Sequence, residues 1–133
     1  VNIPSKFRQT LSTDNQNTFV ITRGLDTCIW VYPLVQWKTI EENLRNLSSL
    51  SSIHRAFVRN TARYATPSTY DKQGRITLSP SLIKYGCLTK EVLIIGLVNK
   101  IEIWDPKQLE NIDKQSTKIQ SSEYDTLSDK IIL

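Results

Sequence analysis

The chain has 133 residues, 39% of them hydrophobic and 23% charged, with a mean hydropathy of −0.31. That balance fits one soluble domain, or two small halves sharing a core. No window approaches the run of about 20 apolar residues that a membrane helix needs, and the start shows no succession of basic, apolar and small residues of the signal-peptide kind. The chain opens at Val1 and contains no Met, so it is expected to lack its own start. The net charge of +4 is unevenly placed, for all seven arginines lie at or before Arg75. Residues 1–75 hold ten Lys and Arg against five Asp and Glu, and residues 76–133 hold seven against eight. An arginine-rich half suits planar, bidentate recognition of phosphate. Cys28 and Cys87 permit one disulfide or none, and with His54 as the only histidine they are too few for a metal cage. Both are expected to be buried, reduced thiols.

In chain order, Val1–Pro4 alternates like a strand and Ser5–Leu11 reads as a short helical turn with Phe7 and Leu11 on one side. Ser12–Asn17 is polar and reads as a loop. Phe19–Thr22 reads as a buried strand, Arg23–Asp26 as a turn, and Thr27–Tyr32, rich in β-branched and aromatic residues, as the hairpin partner. Pro33 suits the first position of a helix in which Trp37, Ile40, Leu44 and Leu47 form one apolar face. Ser52–Tyr64 reads as another helix, with Ile53, Phe57 and Tyr64 on its apolar side. Its Arg55, Arg59 and Arg63 stand four apart and form one stripe. That stripe can meet phosphates, or it can pair with carboxylates of the Asp71 kind or of a neighbouring subunit.

After Ala65–Ser68 ends this helix, Tyr70–Pro80 reads as strand, tight turn and strand. Gly74 supplies the positive backbone dihedral of a sharp reversal, and Asp71 can lock the turn by hydrogen-bonding the backbone nearby. Asp71 and Arg75 then have two readings: a weak surface ion pair, or an acid orienting a guanidinium toward phosphate or a base edge. The second half next repeats the grammar of the first. Ile76–Leu82 matches Val1–Phe7, Val92–Leu97 matches Val20–Leu25, and Ile101–Trp104 matches Ile29–Tyr32. Asp105 as N-cap and Pro106 in the first turn open the corresponding helix, with Leu109 and Ile112 placed as Trp37 and Ile40 are. The chain is therefore a tandem repeat of a strand-helix-hairpin-helix unit: repeat 1 over 1–50, a connecting helix over 51–64, repeat 2 over 65–114, and a tail over 115–133. The tail is rich in Ser, Thr and charge, so it is expected to be frayed, with a possible docking end at Ile131–Leu133.

Tyr70-Asp71-Lys72-Gln73-Gly74-Arg75-Ile76-Thr77-Leu78, Cys28–Pro33 followed by Trp37, and Gly96–Asp105 together resemble the bacterial MraZ family, in order and spacing, up to about Gln115. The resemblance implies an α+β, mainly β, fold: a pseudo-two-fold AbrB-like β-barrel of two swapped-hairpin repeats with flanking helices. It further implies a cytoplasmic, nucleoid-associated transcriptional regulator that assembles as a ring and binds repeated short elements of double-stranded DNA. The promoter implied is that of the division and cell-wall gene cluster. The family's DNA contacts are attributed to an Asp-x-x-x-Arg motif in each repeat. Asp71 and Arg75 match the second copy, with Lys72 and Gln73 between them, and Asp71 is expected to orient Arg75. The first copy is expected ahead of Val1, together with a strand.

Other classes have less behind them. One histidine, no recognisable pair of catalytic carboxylates and no phosphate loop leave nothing for an enzyme, and no cofactor, metal or small-molecule ligand is expected. An AbrB-like antitoxin or interaction module is the alternative, with Ser121–Leu133 as its docking tail.

Overall fold

A computed structural model describes residues 1–12, 18–116 and 121–131, without the side chains of 9–12 and 121. The chain runs α1 (Ser5–Ser12), β1 (Thr18–Arg23), β2 (Ile29–Pro33), α2 (Leu34–Arg45), α3 (Ser52–Tyr64), β3 (Thr66–Thr69), α4 (Pro80–Tyr85), β4 (Leu93–Gly96), β5 (Ile101–Trp104), α5 (Pro106–Ser116) and α6 (Ser121–Ile131). The strands form one antiparallel sheet in the order β3-β1-β2-β5-β4. The α+β class holds. The sheet does not close into a barrel among the described residues, and helices hold more residues than strands.

The repeat is visible as a pseudo-two-fold arrangement about the β2–β5 pair. Trp30 of the first repeat faces Glu102 of the second across that pair, and each repeat's hairpin continues outward from it, β1 on one side and β4 on the other. The small helices are exchanged. The Tyr85 hydroxyl at the end of α4 donates to the Gly24 carbonyl at 2.6 Å, and Phe7 of α1 lies so close over Gly96 that a Cβ there would sit 2.5 Å from its ring. Gly24 and Gly96 hold equivalent places in the two hairpins, so each repeat covers the hairpin end of the other. The equivalent segments Val1–Ile3 and Gly74–Ile76 also pair: Ile76 N–H donates to Val1 O at 2.8 Å and Ile3 N–H to Gly74 O at 3.0 Å.

Strand alternation sends side chains to two cores, one on each face of the sheet. Phe19, Ile21, Ile29, Val31, Ile101 and Ile103 bury against Ile3, Ile76, Leu78 and Leu82 on one face. Val20, Tyr32 and Trp37 bury on the other, under α2. The first core is the larger, and it carries the exchanged helices.

Local chemistry explains most element ends. Ser51 and Ser79 cap α3 and α4 by accepting the His54 and Leu82 amides. The Asp105 carboxylate accepts the Lys107 and Gln108 amides and opens α5 as anticipated. Pro33, expected at the first position of α2, is its N-cap, so the helix begins one residue later, at Leu34. Leu47 falls beyond α2, which stops at Arg45.

Other expectations need correction. The strands expected around the Tyr70–Pro80 turn shrink to β3, which ends at Thr69, and a single bridge between Arg75 and Asn2. Ile76 and Leu78 still alternate inward, 3% and 8% exposed, Ile76 through its backbone pairing with Val1 and both through burial in the core. Of the residues anticipated as the apolar side of α3, Tyr64 is half-buried against Arg23 of β1, but Ile53 and Phe57 are exposed, while His54, Val58 and Thr61 are half-buried. Cys28 and Cys87 are free thiols, but only Cys28 is buried. Cys87 is exposed with φ +52°, taking the left-handed position after α4 while its amide donates to Lys84 O and that of Leu88 to Ile83 O. The tail is not frayed over 121–131 but helical as α6, with Glu123 in the first turn and Lys130 in the last, both matched to the helix dipole. Of the loop expected over Ser12–Asn17, only Ser12 is described, and it closes α1. Ile132 and Leu133 lie outside the described residues.

Candidate nucleic-acid interface

The Asp71–Arg75 turn is a small clamp built by one carboxylate. Asp71 Oδ1 accepts the Gln73 and Arg75 amides, both at 2.8 Å, and Oδ2 accepts Arg75 Nε at 2.9 Å. The backbone closes around it: Asp71 N–H donates to Arg75 O at 2.9 Å and Gly74 N–H to Asp71 O at 3.1 Å. Gly74 stands at φ +76°, a value that costs other residues about 1–2 kcal/mol. The residue types thus follow from geometry: a short side chain with one acceptor reaches both amides, its second acceptor oxygen holds Arg75 Nε, and glycine fits the reversal.

The clamp decides what Arg75 can do. Its Nε is taken by Asp71, while no partner among the described residues holds Nη1 or Nη2, and the side chain is 56% exposed. Two parallel N–H donors therefore point away from a fixed anchor, the fork that matches two phosphate oxygens or the O6 and N7 of guanine. Lys72 and Gln73 form the exposed tip between the clamp residues. The Arg75 amide, first, and then its side chain hold the Asp71 carboxyl below the usual carboxylate range.

Among the sequence-derived site residues, the structure brings Asp71, Lys72, Gln73 and Arg75 together on this turn. The arginine stripe of α3 makes no hydrogen bond or ion pair with Asp71 among the described residues. Arg55 donates to Ser49 O at 2.9 Å, and Arg63 stands 5.8 Å from the centroid of the Tyr64 ring. Sequence reasoning missed Arg8. Its guanidinium lies beneath Gly74, where a Cβ would sit 2.5 Å from Nη1, so a second cation supports the turn from α1. No spacing signal links position 8 to position 74, since only the Val1–Ile3 pairing brings α1 there.

The comparisons run across this whole architecture. A family model described as "MraZ protein, putative antitoxin-like" matches residues 1–60 and 62–129. The chain is 42% identical over 130 residues to the transcriptional regulator MraZ of Natranaerobius thermophilus, covering 98% of this chain and 85% of that protein. It is 46% identical over 106 residues to the one of Halothermothrix orenii, covering 80% and 71%. With that of Clostridium acetobutylicum it shares 40% over 119 residues, covering 90% and 81%. The matched regions include both repeats and the clamp at their junction, and the chain belongs to the MraZ family.

Proposed function

We propose that this chain is a transcriptional regulator that binds double-stranded DNA through the Asp71–Arg75 turn, with no enzymatic activity. The observation that carries the reading is the clamp, which fixes Arg75 by Nε and leaves its two terminal nitrogens free and exposed. Arg75 reads a guanine edge bidentately, and Lys72 and Gln73 at the tip contact the phosphates and sugars beside it. Asp71 orients Arg75 and stays off the DNA, whose phosphates would repel it. The names of the relatives support the regulatory role.

One such turn is a weak contact, so the reading includes assembly. Several copies in a ring align their turns along repeated short elements, and effective concentration turns weak contacts into useful affinity. The target is the promoter of the bacterial division and cell-wall gene cluster, and the protein works in the cytoplasm at the nucleoid.

Fluorescence anisotropy with duplexes carrying repeated elements from that promoter tests this at fixed salt. Arg75→Ala should weaken binding by about 1–3 kcal/mol, roughly five- to 150-fold, with unchanged thermal melting. Wild-type affinity in that variant would overturn the assignment.

A further inference from the structure

Arg23 ends β1 with its guanidinium against two tyrosine rings, 3.6 Å from the Tyr64 centroid and 4.5 Å from that of Tyr85. Its Nε is buried with no hydrogen-bond partner, and no carboxylate among the described residues pairs with it. Tyr85 is itself anchored, since its hydroxyl donates to the Gly24 and Asp26 carbonyls at 2.6 and 3.1 Å. Stacking on the rings fixes the plane of the guanidinium, but it supplies no acceptor, and cationic donors kept from water without one are costly.

The same arginine lines an open groove of about 510 Å³, bounded by β1, β2, α2 and α3, a volume that suits one small molecule. Trp30, Tyr32 and Trp37 form its aromatic wall. Their rings pack on one another with centroids 6.2 and 5.7 Å apart, so that wall is preformed. The exposed side chains of Leu25 and Phe57 add apolar surface. Arg23 is the only lining residue with a formal charge, and Arg55, Arg59 and Arg63 of α3 do not reach the groove. Of the charges near the wall, Lys100 Nζ stands 4.4 Å from the Trp30 ring centroid, and Glu102 is taken up by the indole N–H groups of Trp30 and Trp104.

We infer that this groove binds a small planar aromatic monocarboxylate, with its carboxylate on Arg23 and its ring against Trp30, Tyr32 and Trp37. The lining charge selects an anion and limits it to one negative charge, because a single guanidinium answers it. A guanidinium offers parallel N–H donors that match the two oxygens of a carboxylate. The aromatic wall selects a flat apolar body, which stacks or packs edge-on. Other occupants fit less well. An apolar helix leaves Arg23 without an acceptor, and a nucleic-acid strand brings more phosphates than the groove has cations. The site shares no residue with the Asp71–Arg75 turn, so it goes beyond the DNA-facing reading and stands without it.

The test is calorimetric titration of the 133-residue chain with cinnamate and with its neutral amide, cinnamamide, at one ionic strength. The acid should bind saturably, one molecule per chain, and at least about tenfold more tightly than the amide. Arg23→Gln should abolish that preference, while Arg75→Ala should keep it, which separates the groove from the DNA-facing arginine. Where circular dichroism shows Arg23→Gln to be unfolded, Phe57→Asp decides. Its position is exposed, it sets a carboxylate at the groove, and it should weaken the acid at least about fivefold more than the amide. Equal affinity of acid and amide for the wild-type chain would overturn the proposal, as would a preference that survives Arg23→Gln or stays unchanged in Phe57→Asp. Absence of acid binding at millimolar concentration, the result expected if a second copy covers the groove, would overturn it as well.

Discussion

At the residue scale, the structure turns on which atoms of Asp71 are used. One oxygen holds two backbone amides, and the other holds Arg75 Nε, so the loop and the arginine can be uncoupled by chemistry. In Asp71→Asn the amide oxygen can still accept from Gln73 and Arg75, whereas the nitrogen on the other side cannot accept from Nε. NMR should show the two backbone amides keeping their shifts in that variant while the Arg75 Nε–H resonance loses its protection from exchange. Loss of all three signals together would mean that loop and arginine are one unit. The pH dependence has a definite sign. Because the folded carboxyl is held below its ordinary value, the clamp is fully present above the unfolded range near pH 4 and is lost as pH falls through the depressed folded value. The Nε–H signal should therefore stay protected at pH 5 and disappear only below the ordinary carboxylate range.

At the scale of elements, the β2–β5 seam is joined by a carboxylate. Glu102 Oε2 accepts from Trp30 Nε1 at 2.8 Å, and Oε1 accepts from Trp104 Nε1 at 2.9 Å. The Cys28 thiol lies 3.6 Å from Oε2, and burial, followed by Glu102, pushes that thiol far above its usual range. Trp104 is 2% exposed, so removing its acceptor strands an indole N–H in the core. Glu102→Ala should lower stability by about 2–4 kcal/mol, a fall in Tm of roughly 6–12 °C. Glu102→Gln should fall between, since its single oxygen serves one indole well. Equal melting of the Ala variant and wild type would show that the indoles find other partners.

At the scale of the whole molecule, the exchanged helices and the seam make the two repeats one body. The clamp sits at their junction, held by Val1–Ile3 of the first repeat against Gly74–Ile76 of the second. On the proposed DNA-binding reading, affinity is a sum over the copies that reach the duplex, and salt dependence counts their phosphate contacts. Lys72 at the exposed tip is assigned to phosphate, so Lys72→Ala should reduce the slope of log affinity on log salt by about 0.9 for each copy engaged. It should leave the preference for the repeated elements unchanged. An unaltered slope with lost preference would place Lys72 on a base.

Local pattern by itself determined much of this protein. The hairpins β1–β2 and β4–β5, the caps of Asp105 and Pro106, the bounds of α3, the tandem repeat and the Asp71–Gly74–Arg75 turn depend on period, turn chemistry and reach along a few residues, all of which a sequence carries. The tertiary structure decided what depends on contacts between distant positions. Which side of α3 packs was legible only at Tyr64, which lies against Arg23, because Ile53 and Phe57 are apolar whether or not a surface covers them. Arg8 beneath Gly74, the exchange of Phe7 and Tyr85 onto Gly96 and Gly24, and the open sheet in place of a closed barrel follow from how the repeats interleave. Local propensities are the same for either pairing of the repeats, and only burial of the shared core selects one of them.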